Sequence, residues 1–395
     1  MKTPFRERLV ERAVLAYGLV FVVVLTLSPM EFAWPLHWTV AWWSDWYDLP
    51  ANILFFMPVG YLLVLARAPA RKHPVLTAAL FGTALSAALE TCQLFVPVRL
   101  TSLTDLLGNA SGATLGAWLC AVVRARLKRA LPGVLTIDHP LLNTVYLSLP
   151  LMGLASIDAD PDAHRSWLLL PLGLMGAITI CGLWRYRLAA RLDAPWESVV
   201  LAVLLWFASG ASLGSVTAPG IVALCALAVL MMTLALLARD PHWAGADGRF
   251  EHRVLARIWP CFLLYLAMMV WWPPTAEFVP FHAGLWYPAI PFSRHMALRV
   301  AEQAAALTLF GYLVAESLGR SRRASRLVLA ACLLAGALCA LVLEVGRGFL
   351  ANDQASLARG ALATLGAGFG VFLYGARINV VQILRGEPAI APVVL

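Results

Sequence analysis

Charge is scarce in this sequence. Only 13% of its 395 residues are Asp, Glu, Lys or Arg, whereas 61% are hydrophobic; a soluble domain carries about 25% charge. That deficit excludes a water-soluble globule. Paired cysteines are also missing. Cys92, Cys120, Cys181, Cys225, Cys261, Cys332 and Cys339 all fall in or beside apolar blocks, and no two form a CxxC. This excludes a zinc ribbon and a disulfide framework, and leaves the thiols as small buried side chains. There is no Walker motif and no HExxH. His37, His164, His282 and His295 have no paired spacing, so neither metal nor cofactor is expected. The net charge of +8 does not imply a nucleic-acid partner, because the basic residues sit in short loops between apolar blocks.

Those blocks predict an all-α polytopic membrane protein of about twelve transmembrane helices, since a helix satisfies its own backbone in lipid. The expected spans are 10–28, 51–66, 75–96, 103–123, 141–157, 167–184, 197–217, 220–238, 257–272, 300–318, 327–346 and 357–376. The basic Met1–Arg12 segment resembles a signal-peptide head, but no small-x-small cleavage site follows, which predicts an uncleaved first span. With the N-terminus in the cytoplasm, alternate loops are basic: Arg67, Arg71 and Lys72; Arg124, Arg126, Lys128 and Arg129; Arg185, Arg187 and Arg191; Arg239 to Arg257; Arg320 to Arg326; then Arg377. The loop 29–50 has no Lys or Arg but carries Glu31, Asp45 and Asp48. The positive-inside rule then places both termini in the cytoplasm of a multi-pass cell-membrane protein. Trp42, Trp43, Trp46, Trp271 and Trp272 suit interfacial anchoring.

The chain also repeats. Sliding Glu90 onto Glu344 brings Glu90, Phe95, Ser102, Leu103, Gly112, Ala113 and Gly116 onto identical residues, and Gly60-Tyr61 meets Gly311-Tyr312 with a small shift. The expected organisation is four plus four plus four: a unit over 10–125, a central region over 141–238, and a second unit over 257–376. The outer units are then a parallel repeat about an axis normal to the membrane.

Polar residues inside spans are costly and point to function. The first unit has Asn52 opening its second span. Ser86, Glu90 and Gln93 share a face of the third. Arg99, Ser102, Asp105 and Asn109 lead into the fourth. All are expected near the outer face, where they can converge in one pocket, and Pro58 can kink the second span. Gly108, Gly112 and Gly116, like Gly366 and Gly370, form the small-xxx-small pattern of close helix packing.

The segments N-x3-F-x-P-x-G (Asn52 to Gly60), S-x3-E-x2-Q (Ser86 to Gln93) and R-x5-D-x3-N-x2-G-x3-G (Arg99 to Gly116) resemble the VanZ-like family. Residues 10–125 look like one complete VanZ-like domain and 257–376 like a degenerate second copy. In that copy Glu344 and Ser356 persist, but Asp353, Arg359 and Ala363 stand where Arg99, Asp105 and Asn109 stood. The resemblance implies bacterial cell-envelope biology, with a founding member tied to teicoplanin-type glycopeptide resistance, and carries no defined activity. The expected partners are membrane lipid and a lipid-linked or headgroup-bearing envelope precursor.

Structural readings compete at each residue. Glu90 and Arg99 suit an ion pair near lipid, or Glu90 is a general base or ligand contact in a partly dry pocket. Arg99 suits a lipid phosphate or simple snorkelling. Asp105 suits the start of the fourth helix, which leaves Asn109, one turn deeper, unexplained. Three classes of function stay open: an enzyme on a lipid-linked substrate, a transporter, and a scaffold for envelope machinery.

Overall fold

The structure is a computed structural model. It describes residues 9–27, 32–34, 40–42, 48–67, 73–97, 101–130, 133–160, 162–184, 197–211, 226–230, 232–233, 250–273, 277–285, 294–318, 326–351 and 353–384. The helices are α1 (Leu9–Thr26), α2 (Asp48–Ala66), α3 (Pro74–Gln93), α4 (Leu103–Ala130), α5 (Gly133–Asp158), α6 (Leu169–Leu183), α7 (Glu197–Gly210), α8 (Phe250–Trp271), α9 (Arg294–Leu318), α10 (Arg326–Arg347) and α11 (Leu357–Leu384). A 3-10 turn, Ala163–Leu168, leads into α6.

Polarity is inverted relative to a soluble protein. Leu334, Leu338, Leu341 and Val342 of α10 face outward, while Glu302, Glu316, Arg165 and Arg377 are buried. Such a surface suits hydrocarbon, with the charges sheltered inside the bundle. The chain is therefore a multi-pass membrane protein. Among the described residues nine helices are long and apolar enough to span.

Three of the expected twelve spans are not among those nine, each for its own reason. For 197–217, the described helix Glu197–Gly210 has 14 residues. Most of 220–238 lies outside the described residues. The helix over 300–318, α9, has 25 residues and is long enough, but it carries Glu302, Gln303, Thr308 and Glu316, all buried. Its polarity reflects its place in the middle of the bundle. Arg377, expected in a basic loop, lies instead inside α11 and is buried.

Two four-helix groups flank the central helices. In α1–α4, α2 packs most extensively on α4; in α8–α11, α9 does so on α11. Glycine permits both approaches. A Cβ on Gly116 would sit 1.9 Å from the Met57 carbonyl oxygen, and one on Gly370 would sit 1.9 Å from that of Thr308. Gly60 is equally close to the Ala113 carbonyl, and Gly311 to that of Ala367. Gly112 closes on Ile53, while Gly108 lies near Asn52 and Gly366 near Ala304. Pro58 sits within a continuous α2.

Short parallel strand pairs clip the loops at one end of each group. Val40–Ala41 (β1) pairs with Thr101–Ser102 (β2), and Ala283–Gly284 (β3) with Ala355–Ser356 (β4). The Ala33 N–H donates to the Phe95 carbonyl at 2.7 Å, and the Val279 N–H to that of Phe349 at 2.9 Å. The central α5 contacts α1 and α9, and Tyr17 of α1 bonds Thr308 of α9 at 3.1 Å. Phe21 and Phe55 share a small apolar cleft with Met152 and Ala155.

Candidate functional site

The clipped end of α1–α4 gathers most of the residues expected there. The Asn52 amide donates to Asp105 Oδ1 at 2.8 Å, tying the start of α2 to the start of α4. Glu90 Oε2 accepts the Ser102 N–H at 3.1 Å, and the Thr101 hydroxyl donates to the Glu90 carbonyl. One turn deeper, the Asn109 amide donates to Ser86 Oγ at 2.9 Å. Because α3 and α4 run antiparallel, the Ser86–Asn109 bond and the Glu90–Ser102 bond set Glu90 opposite the turn that carries Asp105. The Ser102 hydroxyl bonds Thr104. Gln93 turns aside: its amide donates to the Thr26 carbonyl at the end of α1, at 2.8 Å. Arg99 lies outside the described residues.

Two acceptors here have no partner. The side-chain oxygens of Gln93 and Asn109 are buried without a hydrogen bond. The orientation at Gln93 is forced, since a carbonyl can only accept and so draws the amide nitrogen. A buried polar atom left unbonded costs about 1–3 kcal/mol, so both oxygens favour a hydrogen-bond donor reaching them.

The corresponding end of α8–α11 is filled from within. Glu344 Oε2 accepts the Ser356 N–H at 2.9 Å, as Glu90 does that of Ser102. Glu344 Oε1 accepts Arg347 Nη1 and Arg359 Nε, both at 2.8 Å. Arg347 also donates to Gln303 Oε1 at 3.0 Å, and Arg359 to Asp353 at 3.0 Å. Every side chain here is buried except the partly exposed Asp353.

Two further buried networks went unread in the sequence. At the same end, Glu302 accepts from Arg165, Ser156 Oγ (3.1 Å) and Tyr265 Oη (2.7 Å), and Arg165 also binds Asp160. Burial pushes the Asp160 carboxyl up, but the Arg165 and Arg299 guanidiniums outweigh it and hold the group below the usual carboxylate range. At the opposite end, Arg377 donates to Asp138 at 2.8 Å, to Glu316 at 2.8 Å and to Tyr312 Oη at 3.0 Å, and Tyr146 Oη donates to Glu316. The available signal was Glu302 and Glu316 inside an apolar span. Their partners lie 37 to 170 positions away in sequence, beyond any local pattern.

One string, Gly210-Ala211-Ser212-Leu213-Gly214, fits the spelling of a nucleophile elbow. It starts on the last residue of α7, not after a strand, so the context that motif requires is missing; Ser212 itself lies outside the described residues.

The fold and its polar end define a helical, multi-pass membrane protein with a buried polar cluster at one end of α1–α4. Residues 7–124, which span α1–α3 and most of α4, match the family model VanZ/LLP1. No curated protein matches the chain, and no solved structure does.

Proposed function

We propose that this is a bacterial cell-envelope membrane protein whose VanZ/LLP1 unit engages a lipid-linked or headgroup-bearing envelope component through an outward-facing polar pocket. One observation carries this reading. Hydrogen bonds tie Asn52 to Asp105, Glu90 to Ser102 and Asn109 to Ser86 at one end of α2, α3 and α4, and the Asn109 amide oxygen stays buried and unbonded. Simple helix capping would leave no such vacancy, because a cap satisfies groups rather than stranding them. Binding is favoured over acid–base catalysis, since Glu90 already accepts a backbone N–H.

The orientation rests on charge. The opposite end of α1–α4 holds Arg12, Arg67, Arg124 and Arg126, which belongs in the cytoplasm with both termini. On this reading α8–α11 is a second VanZ-like unit. Its support is the equivalence of contacts: Gly60 with Gly311, Gly116 with Gly370, and Glu90–Ser102 with Glu344–Ser356. The full count is then twelve spans as four, four and four.

The test is native mass spectrometry of the protein released from bacterial membranes, with retained lipids identified. Wild type is expected to keep an envelope lipid or precursor that Asn109→Ala loses while melting normally. Equal retention by both, or none by wild type, refutes the proposal. Loss of any teicoplanin tolerance in cells expressing Asn109→Ala is the cellular counterpart.

A further inference from the structure

Where α1 and α2 meet the central helices, packing is incomplete. The apolar cleft there is walled by α1 and α2 on one side and by α5 and α7 on the other. Its floor, with Phe21, Phe55, Met152 and Ala155, is buried. Its mouth, with Leu15, Gly18, Pro58 and Leu151, is partly exposed. Gly18, Pro58 and Leu151 sit near the middle of the spans Leu9–Thr26, Asp48–Ala66 and Pro140–Asp158. The mouth therefore opens at the depth of bilayer hydrocarbon. Two properties limit what can fill the cleft. Its side chains are apolar except for Ser148 and Ser209, and Ser209 Oγ already donates to the Trp206 carbonyl at 2.8 Å. A buried water needs about 2–4 polar partners, so such a space stays dry. The walls are also too short to close it. Gly18 and Ala155 offer little bulk, and even a Cβ on Gly18 would only reach ordinary contact with Met152 and Leu62, at 3.6 and 3.8 Å.

We infer that this cleft seats a segment of one hydrocarbon chain of a membrane lipid, at the seam between α1–α2 and α5–α7. Unfilled apolar space forfeits dispersion contacts along its lining, and the material at its mouth that can restore them is bilayer hydrocarbon. In lipid the selection comes from packing, not from exclusion of water. A chain in the cleft touches protein on several sides. A chain against the outward face of α10, paved by Leu334, Leu338, Leu341 and Val342, touches it on one. No charged residue is among the described lining, so the seat reads the chain and not the headgroup. The cleft is separate from the polar end of α2–α4 and needs nothing bound there.

The experiment uses the full chain in phosphatidylcholine nanodiscs doped with phosphatidylcholine that carries a diazirine at mid-chain. After photolysis, labelled residues are mapped by peptide mass spectrometry. Phe21, Phe55 and Met152 should be labelled about threefold or more over Leu338, Leu341 and Val342, the scale of a handful of added dispersion contacts. Gly18→Leu, which sends a side chain into the cleft from α1, should bring that ratio down to about one. Ala155→Leu does the same from α5 and serves if Gly18→Leu fails to give a monodisperse protein. A wild-type ratio of about one means bulk lipid contact only and overturns the inference. So does a cleft that takes no label, whether closed or covered by a second copy of the chain. A folded filling variant that keeps the wild-type ratio overturns it as well. None of these results bears on the lipid proposed for the polar end, which is read by its retention in wild type and Asn109→Ala.

Discussion

Removing Arg377 is the sharpest perturbation of the bundle. Its guanidinium is buried and faces two carboxylates, Asp138 and Glu316, each at 2.8 Å. Arg377→Met therefore strands two acids in a low-dielectric interior. Glu316 keeps the Tyr146 hydroxyl as donor. Breaking one partner out of a buried ion pair costs about 3–5 kcal/mol, a large share of the ~5–15 kcal/mol that holds a fold together. The same principle makes a second prediction with the opposite outcome. The triple variant Arg377→Met, Asp138→Asn, Glu316→Gln removes charge of both signs, and a buried pair is worth little net against neutral replacements. It should recover most of the loss. The assay is denaturant or SDS titration in mild detergent, read by tryptophan fluorescence, for wild type, single and triple variants. A single variant as stable as wild type, or a triple variant no better than the single, would refute the claim that Arg377 neutralises charge inside the bundle.

Helix contact gives a matched set. Gly116→Ala and Gly370→Ala each drive a Cβ into a carbonyl oxygen at 1.9 Å and should cost about 1–3 kcal/mol by overpacking. Gly375→Ala, with nothing within 4 Å, should be neutral or stabilising by about 0.5–1 kcal/mol through helix propensity; the same titration ranks them. Asp160 has its folded-state value lowered, so its contribution is present above the unfolded-state value and lost as pH falls through the folded one. Melting against pH should show an acid-side decline that Asp160→Asn flattens. For topology, Trp42→Cys, at an exposed position, should react with a membrane-impermeant maleimide in intact cells. Lys128→Cys, in the last turn of α4, should react only after permeabilisation; the reverse pattern refutes the orientation.

Local patterns in the sequence carried the helices and the glycine seams. A run of apolar residues is visible within 20 positions, and Gly112 and Gly116 recur on one face whatever lies opposite. The polar end was half legible. Ser86, Glu90, Asp105 and Asn109 announced themselves as polar groups at helical spacing, and the structure joins them through Ser86–Asn109, Asn52–Asp105 and Glu90–Ser102. Gln93 had the same spacing but reaches Thr26, a contact set by how α1 packs on α3. Arg377 read as a loop cation because it follows an apolar run. Only the third dimension brings Asp138, 239 positions earlier, against it.

The contrast between the units also constrains what α9 does. It presents Gln303 to the Glu344 end, Glu302 to Arg165 and Glu316 to Arg377, so one helix is tied into three buried networks. α2 carries none of these charges: Asn52 is partly exposed, and the helix's buried residues are apolar. Buried ion pairs add little net stability but penalise any arrangement that separates them. α9 is thereby fixed in register against α5, the 3-10 turn before α6, α8, α10 and α11. α2 is held by apolar packing and glycine contacts, with Asn52 as its polar tie to α4.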